Sequence, residues 1–260
     1  GSLSMTVSRA LPDDGSLDVH QAASDIREMA NACTLPILVD ADASFGTLDT
    51  LASCVPILES AGASGVALED KSAPKANSFA ADSNHVLHPA DAFCKVIDDC
   101  LRLRRHRNFL VVARTEALVA GMSVADALSR VSSFAEAGAE ALIIQSRSAD
   151  IAALAECLRR TRAQLPRLPI GVIPTAYPDV AESQWSSLGA SFVIFANHLV
   201  RASVKALAET AATIREAGRT QAVEERLAPL SDLFAIQGAS GPTLDSPAAS
   251  MREESDDQPR

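Results

Sequence analysis

Three carboxylates and a guanidinium stand at the ends of short apolar runs in this chain of 260 residues. Asp40 and Asp42 close "LPILVDAD", Glu69 falls at the end of "GVALED", and Arg114 comes near the end of "FLVVARTE". Residues two apart on a strand end face the same side, so Asp40 and Asp42 repel unless a cation or protons relieve them. Hard oxygen ligands of this kind, joined by Glu69 from the next run, suit Mg2+ with several retained waters. A pair of exposed loop acids would show the same spacing. Arg114 suits a phosphoryl or carboxylate group through two parallel N–H bonds, and an ion pair with Glu116 or Glu69 is its alternative use.

The stretch "EDKSAPKANS", from Glu69 to Ser78, then passes from strand-end acids into a polar loop carrying Lys75, Asn77 and Ser78. It is either a solvated turn or a lid over an anion. Three acids, an arginine and such a loop together describe phosphoryl chemistry on an anionic substrate. Catalysis of that kind rests on positioning and on neutralising charge over the equatorial oxygens.

Short β-rich runs must position these groups. They recur at 35–42, 65–70, 109–116, 141–146, 168–175 and 191–197. Amphipathic segments of helical period separate most of them, at 49–63, 123–139 and 151–164 among others. Two of these segments end in "AGA", whose glycine suits a helix C-cap. Alternating strands and helices with buried parallel-type strands predict an α/β fold. Polar residues end every run: Asp40, Glu69 with Asp70, Arg114 with Glu116, Gln145 with Ser146, Thr175 and Asn197. A ring of polar strand ends is the catalytic face of a (β/α)8 barrel, and no GxGxxG follows any strand to favour a doubly wound sheet. Six strands are counted where such a barrel has eight.

Composition narrows the function classes. A net charge of −10 argues against a nucleic-acid surface, and the one basic run, "RLRRHR" from Arg102 to Arg107, reads as the closing turn of a helix. Five scattered cysteines without CxxC or Cys/His spacing predict reduced thiols and a cytoplasmic protein. No apolar run is long enough to span a membrane, and no signal peptide is visible. From about Gly238 onward the chain is rich in Ser, Pro and acids, which predicts a disordered tail after a 1–237 catalytic domain. Ahead of it, "VEERLAPLSDLFAIQ" (223–237) reads as a short amphipathic helix in need of a partner.

Several stretches, in order, resemble the phosphoenolpyruvate mutases of the isocitrate lyase superfamily. They are "EDKSAPKANS", which fits EDK-x5-NS, together with "LVDADASFG", "VARTEALVAG", "EAGAEALIIQS", "VIPTAYP" and "ANHLVRASV". The resemblance runs from the N-terminus to about Gln237. It implies a Mg2+ enzyme that interconverts phosphoenolpyruvate and phosphonopyruvate. Asp40 would be the direct metal ligand, with Asp42 and Glu69 acting through bound waters. Arg114 would bind the migrating phosphoryl group, and Lys75, Asn77 and Ser78 would lie on a gating loop. Asp13 would position the transferred group, and backbone amides at Gly1, Ser2 and Leu3 would hold the pyruvyl oxygen.

The same resemblance separates neighbouring activities. Carbon–carbon lyases of the superfamily carry a catalytic cysteine in this loop, and "KANS" has none. Phosphonopyruvate hydrolases have threonine where Asn77 stands, so asparagine favours a mutase. A hydrolase is the runner-up, followed by an inactive paralogue acting only as an oligomer subunit. Gln145 stands where both activities have histidine, and Ser44 where a glycine is expected. Two further strands and a Trp-Gly-Ser segment would precede Gly1, giving a barrel truncated at its start. Exchange of the last helices between subunits would make a homodimer or homotetramer.

Overall fold

The computed structural model describes residues 1–41, 45, 47–72, 77–79 and 85–237. Asp42, Ser44, Lys75 and the tail from Gly238 onward lie outside the described residues. Two compact units divide the chain, Gly1–Val200 and Arg201–Arg260.

In the first unit, α1 (Ser2–Val7) and α2 (Val19–Ala32) precede a parallel sheet. Its strands are β1 (Leu38–Asp40), β2 (Gly65–Glu69), β3 (Leu110–Thr115), β4 (Ala141–Ile144), β5 (Ile170–Val172) and β6 (Phe192–Val193). They pair in chain order, a curled six-strand half-barrel among the described residues. Between strands lie α3 (Cys54–Ser60), α4 (Ala90–Leu103), α5 (Val124–Glu136), α6 (Ala152–Gln164) and α7 (Glu182–Ser187). All six strands fall inside the runs that the sequence marks. Helix boundaries follow local chemistry. Ser123 and Asp126 cap α5 reciprocally, and Gly62 and Gly138, the glycines of the two "AGA" segments, hold φ of +104° and +99° just past α3 and α5.

The period-two alternation of the strands sorts every side chain to one of two faces. Val39, Val66, Leu68, Val111, Ala113, Leu142 and Ile144 point outward into one core with Phe93, Ile97, Phe134 and Leu154 of the helices. Ala67, Val112, Ala141, Ile143 and Ile173 point inward and form a small second core, against which Phe192 and Ile194 pack. A Cβ at Gly171 would meet the Phe192 ring at 2.3 Å, so glycine there makes room for that phenylalanine. One step beyond the inward apolar positions stand Asp40, Glu69, Arg114 and Gln145. The parity that buries the sheet therefore aims these polar groups at one mouth.

Asp70 departs from the expected ring. It faces the helix layer, where its carboxylate accepts from Thr115 Oγ1, the Glu116 amide and Arg130 Nε, each at 2.8 Å. Arg130 of α5 also donates to the His88 carbonyl at 2.8 Å and lies over the Phe134 ring. Glu69 and Asp70, adjacent in sequence, thus serve the site and the scaffold respectively. The basic run is corrected too. α4 ends at Leu103, so only Arg102 sits in its last turn. Arg104 bonds Glu140 and the Phe109 carbonyl, and Glu59 accepts from the backbone amides of Arg105 and His106.

α8 (His198–Ala217) runs from the end of the first unit into the second, which also holds α9 (Leu230–Ile236). The amphipathic segment predicted over 223–237 forms a short 3-10 turn at Glu224–Arg226 and then α9, whose N-cap is Pro229. Its apolar residues Leu230, Leu233, Phe234 and Ile236 are exposed. None of the described helices is long and apolar enough to cross a membrane.

Candidate functional site

A cavity of about 360 Å³ opens at the C-terminal ends of the strands. It is lined by Ser2, Leu3, Asp13, Asp40, Glu69, Asn77, Ser78, Arg114 and Gln145, the described members of the predicted set. Lys71, Thr175 and Asn197 join them in its wall. Asp42 and Lys75 lie outside the described residues.

Arg114 is the centre of this wall. Its Nε donates to Glu116 Oε1 at 2.7 Å, and its Nη2 lies 3.1 Å from Glu69 Oε2 and 3.2 Å from Ser78 Oγ. Nη1 stands 3.6 Å from Asp40 Oδ1, too long for a hydrogen bond. It is therefore the part of the guanidinium left to meet an anion, among the described residues. The ion pairs read for Arg114 are made, on two edges of the guanidinium, and its third edge lines the cavity. Burial acts to lower its pKa, but Glu116, Glu69 and Asp40 more than offset that and hold it above its ordinary value. It stays cationic.

Lys71 is the lysine of the EDK-x5-NS pattern, to which the sequence alone assigns no role; it follows Glu69 by two, the spacing that returns a strand residue to the same face. Its buried ammonium lies 2.9 Å from Glu69 Oε1, 3.5 Å from Glu116 Oε2 and 3.1 Å from Ser78 Oγ. Ser78 in turn donates to Glu116 Oε2 at 2.6 Å. Burial pushes the Glu116 carboxyl up, but Arg114, Lys71 and that hydroxyl outweigh it and hold it below the ordinary range. Glu69, Glu116, Lys71 and Arg114 thus form a balanced cluster of two acids and two cations, the condition under which buried charges are tolerated. Ser78, at the end of the loop, is fastened into that cluster. Asn77 beside it donates through Nδ2 to Asp13 Oδ2 at 3.0 Å, tying the loop to the segment between α1 and α2.

Asp40 brings a further carboxylate to the same mouth, its Oδ1 3.6 Å from Arg114 Nη1. Among the described residues no group of three metal-type ligands gathers, and the third acid of the predicted set is Asp42. The cysteines take no part. All five are free, and burial pushes the Cys54 thiol up to about 12 and the Cys157 thiol to about 11, which keeps those two protonated.

A family model described as phosphoenolpyruvate phosphomutase matches residues 1–215. The chain belongs to the phosphoenolpyruvate phosphomutase family. Its fold is that of the wider isocitrate lyase/PEP mutase superfamily. The phosphoenolpyruvate phosphomutase of Streptomyces hygroscopicus is 34% identical over 90% of this chain and 74% of its own length. The phosphonopyruvate hydrolase of Variovorax sp. (strain Pal2) is 33% identical over 90% of this chain and 80% of its own. Among solved structures, a phosphoenolpyruvate phosphomutase from Streptomyces platensis subsp. rosaceus superposes with a TM-score of 0.86 at 33% identity, covering 97% of this chain and 84% of that one. A phosphonopyruvate hydrolase in complex with oxalate and Mg2+ superposes at 0.82 with 30% identity, covering 97% and 83%. Mutases and a hydrolase stand at nearly equal identity, so family membership alone does not choose between the two reactions.

Proposed function

We propose that this protein is a Mg2+-dependent phosphoenolpyruvate mutase interconverting phosphoenolpyruvate and phosphonopyruvate. The observation that carries the reading is Asn77, an amide at the cavity wall held 3.0 Å from Asp13. A mutase must keep a metaphosphate-like group from water while the enolate turns from carbon to oxygen attack. Breaking the P–C bond leaves its electron pair on pyruvate as an enolate. The enolate oxygen then uses that pair to form the P–O bond, with no proton gained or lost.

The chain's own groups suit these steps. Arg114 Nη1 would take an equatorial phosphoryl oxygen. Asn77 Nδ2 would exchange Asp13 for another such oxygen, with Asp13 positioning it. The backbone amides of Ser2 and Leu3, in the open first turn of α1 at the cavity, would hold the pyruvyl oxygen. Lys75, on the same loop, is proposed to join the lid. Asp40 and Glu69 supply hard oxygen donors to one cavity, which fits Mg2+, and with Asp42 they would hold it. When bound, Mg2+ supplies charge neutralisation on the substrate oxygens. The Mg2+ in the related hydrolase structure supports that assignment.

Phosphorus NMR of the protein with phosphonopyruvate and Mg2+ is expected to show phosphoenolpyruvate as the main product, with conversion abolished by a chelator. Inorganic phosphate as the main product would make the protein a hydrolase, and no turnover would favour an inactive subunit. Self-association through exchanged C-terminal helices belongs to the same reading and draws support from the exposed apolar residues of α9. Light scattering at micromolar concentration should give a dimer or tetramer. A monomer there would remove this part of the proposal.

A further inference from the structure

Gln145 stands apart from the bonded network of the site. It follows β4 at the inward parity, and its backbone amide lies 3.5 Å from the Thr115 carbonyl. The side chain lines the cavity and the residue is 3% exposed. Its Oε1 is shut off from solvent and accepts no hydrogen bond among the described residues. A buried carbonyl left in this state has lost its hydration with nothing in return. Arg114, Glu69, Lys71, Asn77 and Ser78 share the same cavity and are engaged with one another or with Asp13 and Glu116. The primary amide of Gln145 is not part of that web.

We propose that Gln145 reads a hydroxyl on the ligand, and that the cavity takes a small anionic 2-hydroxy acid more tightly than its analogue without the hydroxyl. A primary amide presents one donor end and one acceptor end, whichever way it is turned. Carboxylate, phosphonate dianion and ketone oxygens only accept, so a ligand made of these alone satisfies the donor end and leaves the acceptor facing other lone pairs. A 2-hydroxy acid carries the matching pair. Its carboxylate oxygen accepts from the amide N–H, and the neighbouring hydroxyl donates to the amide oxygen. Arg114 supplies the charge that draws such an acid in. A ligand without a donor leaves the carbonyl's deficit in place. Sites with a buried polar group waiting for a partner discriminate strongly against ligands that lack it. The inference concerns which ligand the cavity prefers and stands apart from which bond the enzyme breaks.

Two unreactive probes test it: racemic 2-hydroxy-3-phosphonopropanoate, and 3-phosphonopropanoate, which has no oxygen at that carbon. Both are titrated calorimetrically into the full chain, with Mg2+ and again with a chelator present, because a hydroxyl also ligates metals. The wild type is expected to bind the hydroxy acid at least about tenfold tighter in both conditions, and Gln145→Met to bring the ratio close to one. Equal affinities in the wild type overturn the proposal whatever the variant does, as does a tenfold preference that survives in Gln145→Met. A preference that vanishes with the chelator also overturns it, since the metal is then reading the hydroxyl. Turnover of phosphonopyruvate followed beside these titrations separates the two claims: conversion with a ratio of one leaves the mutase reading standing alone. A high ratio without conversion leaves this inference alone.

Discussion

Arg130→Ala is expected to destabilise the protein by about 3–5 kcal/mol, the range for breaking a buried ion pair from one side. At this chain length that is a fall of roughly 6–20 °C in melting temperature. Asp70 is fully buried, and Arg130 Nε, the Glu116 amide and Thr115 Oγ1 make its hydrogen bonds. Burial already pushes the Asp70 carboxyl above its ordinary value, and Arg130 is the largest influence acting against it. Removing Arg130 raises that pKa further. A carboxyl whose folded pKa lies above its unfolded value, about 3.9, contributes stability below that pH and loses it as pH rises through the folded value. The deficit should therefore be greater at pH 7 than near pH 4. Thermal or urea melts at both pH values measure it. A loss below about 1 kcal/mol, or a deficit that grows toward pH 4, would show that Asp70 does not depend on Arg130. The pair also matters for the site. Asp70 holds the amide of Glu116, whose carboxylate anchors Arg114, Lys71 and Ser78, so the scaffold pair indirectly fixes the reacting wall.

How far this arrangement is legible in the sequence varies by residue. Six strands are readable because each is an apolar run stopped by a polar residue, and Asp40, Glu69, Arg114 and Gln145 share one face because strand parity is local. Grouping Asp70 with that face fails on the same rule: it is one step out of phase with Glu69, and its partner Arg130 lies 60 residues away on a helix. Lys71 reads as a charge at the end of an apolar run, with no partner legible for it. Only the fold brings Glu116 and Ser78 around it, from β3's end and from the far side of the "KSAPKANS" stretch. The tie between Asn77 and Asp13 spans 64 positions and leaves no local trace. What the sequence shows is which groups face inward. Which of them touch depends on strand register, and register is set by packing across the whole sheet.

On the proposed mutase reading, Arg114→Lys should leave the protein folded and lower turnover of phosphonopyruvate by about 10²–10³-fold, the loss seen when a donor aimed at developing charge is withdrawn. The charge is retained, so the carboxylates of Glu116, Glu69 and Asp40 keep a cation among them and the melting temperature should move little. What is lost is geometry. The guanidinium bonds Glu116 through Nε, meets Glu69 and Ser78 through Nη2, and still directs Nη1 toward Asp40 and the cavity. An ammonium is a point charge on a flexible stem, and it cannot hold three directions at once. Drawn to the buried Glu116 and Glu69, it leaves nothing fixed at the cavity for an equatorial phosphoryl oxygen. The damage should appear mainly in kcat, because that oxygen's charge is redistributed only as the bond breaks, and less in KM. Steady-state kinetics beside a thermal melt of the same preparation decides the matter. A folded Arg114→Lys variant that keeps more than a tenth of wild-type kcat would show that charge alone suffices at this position, and the directed Nη1 would then have no part in the reaction.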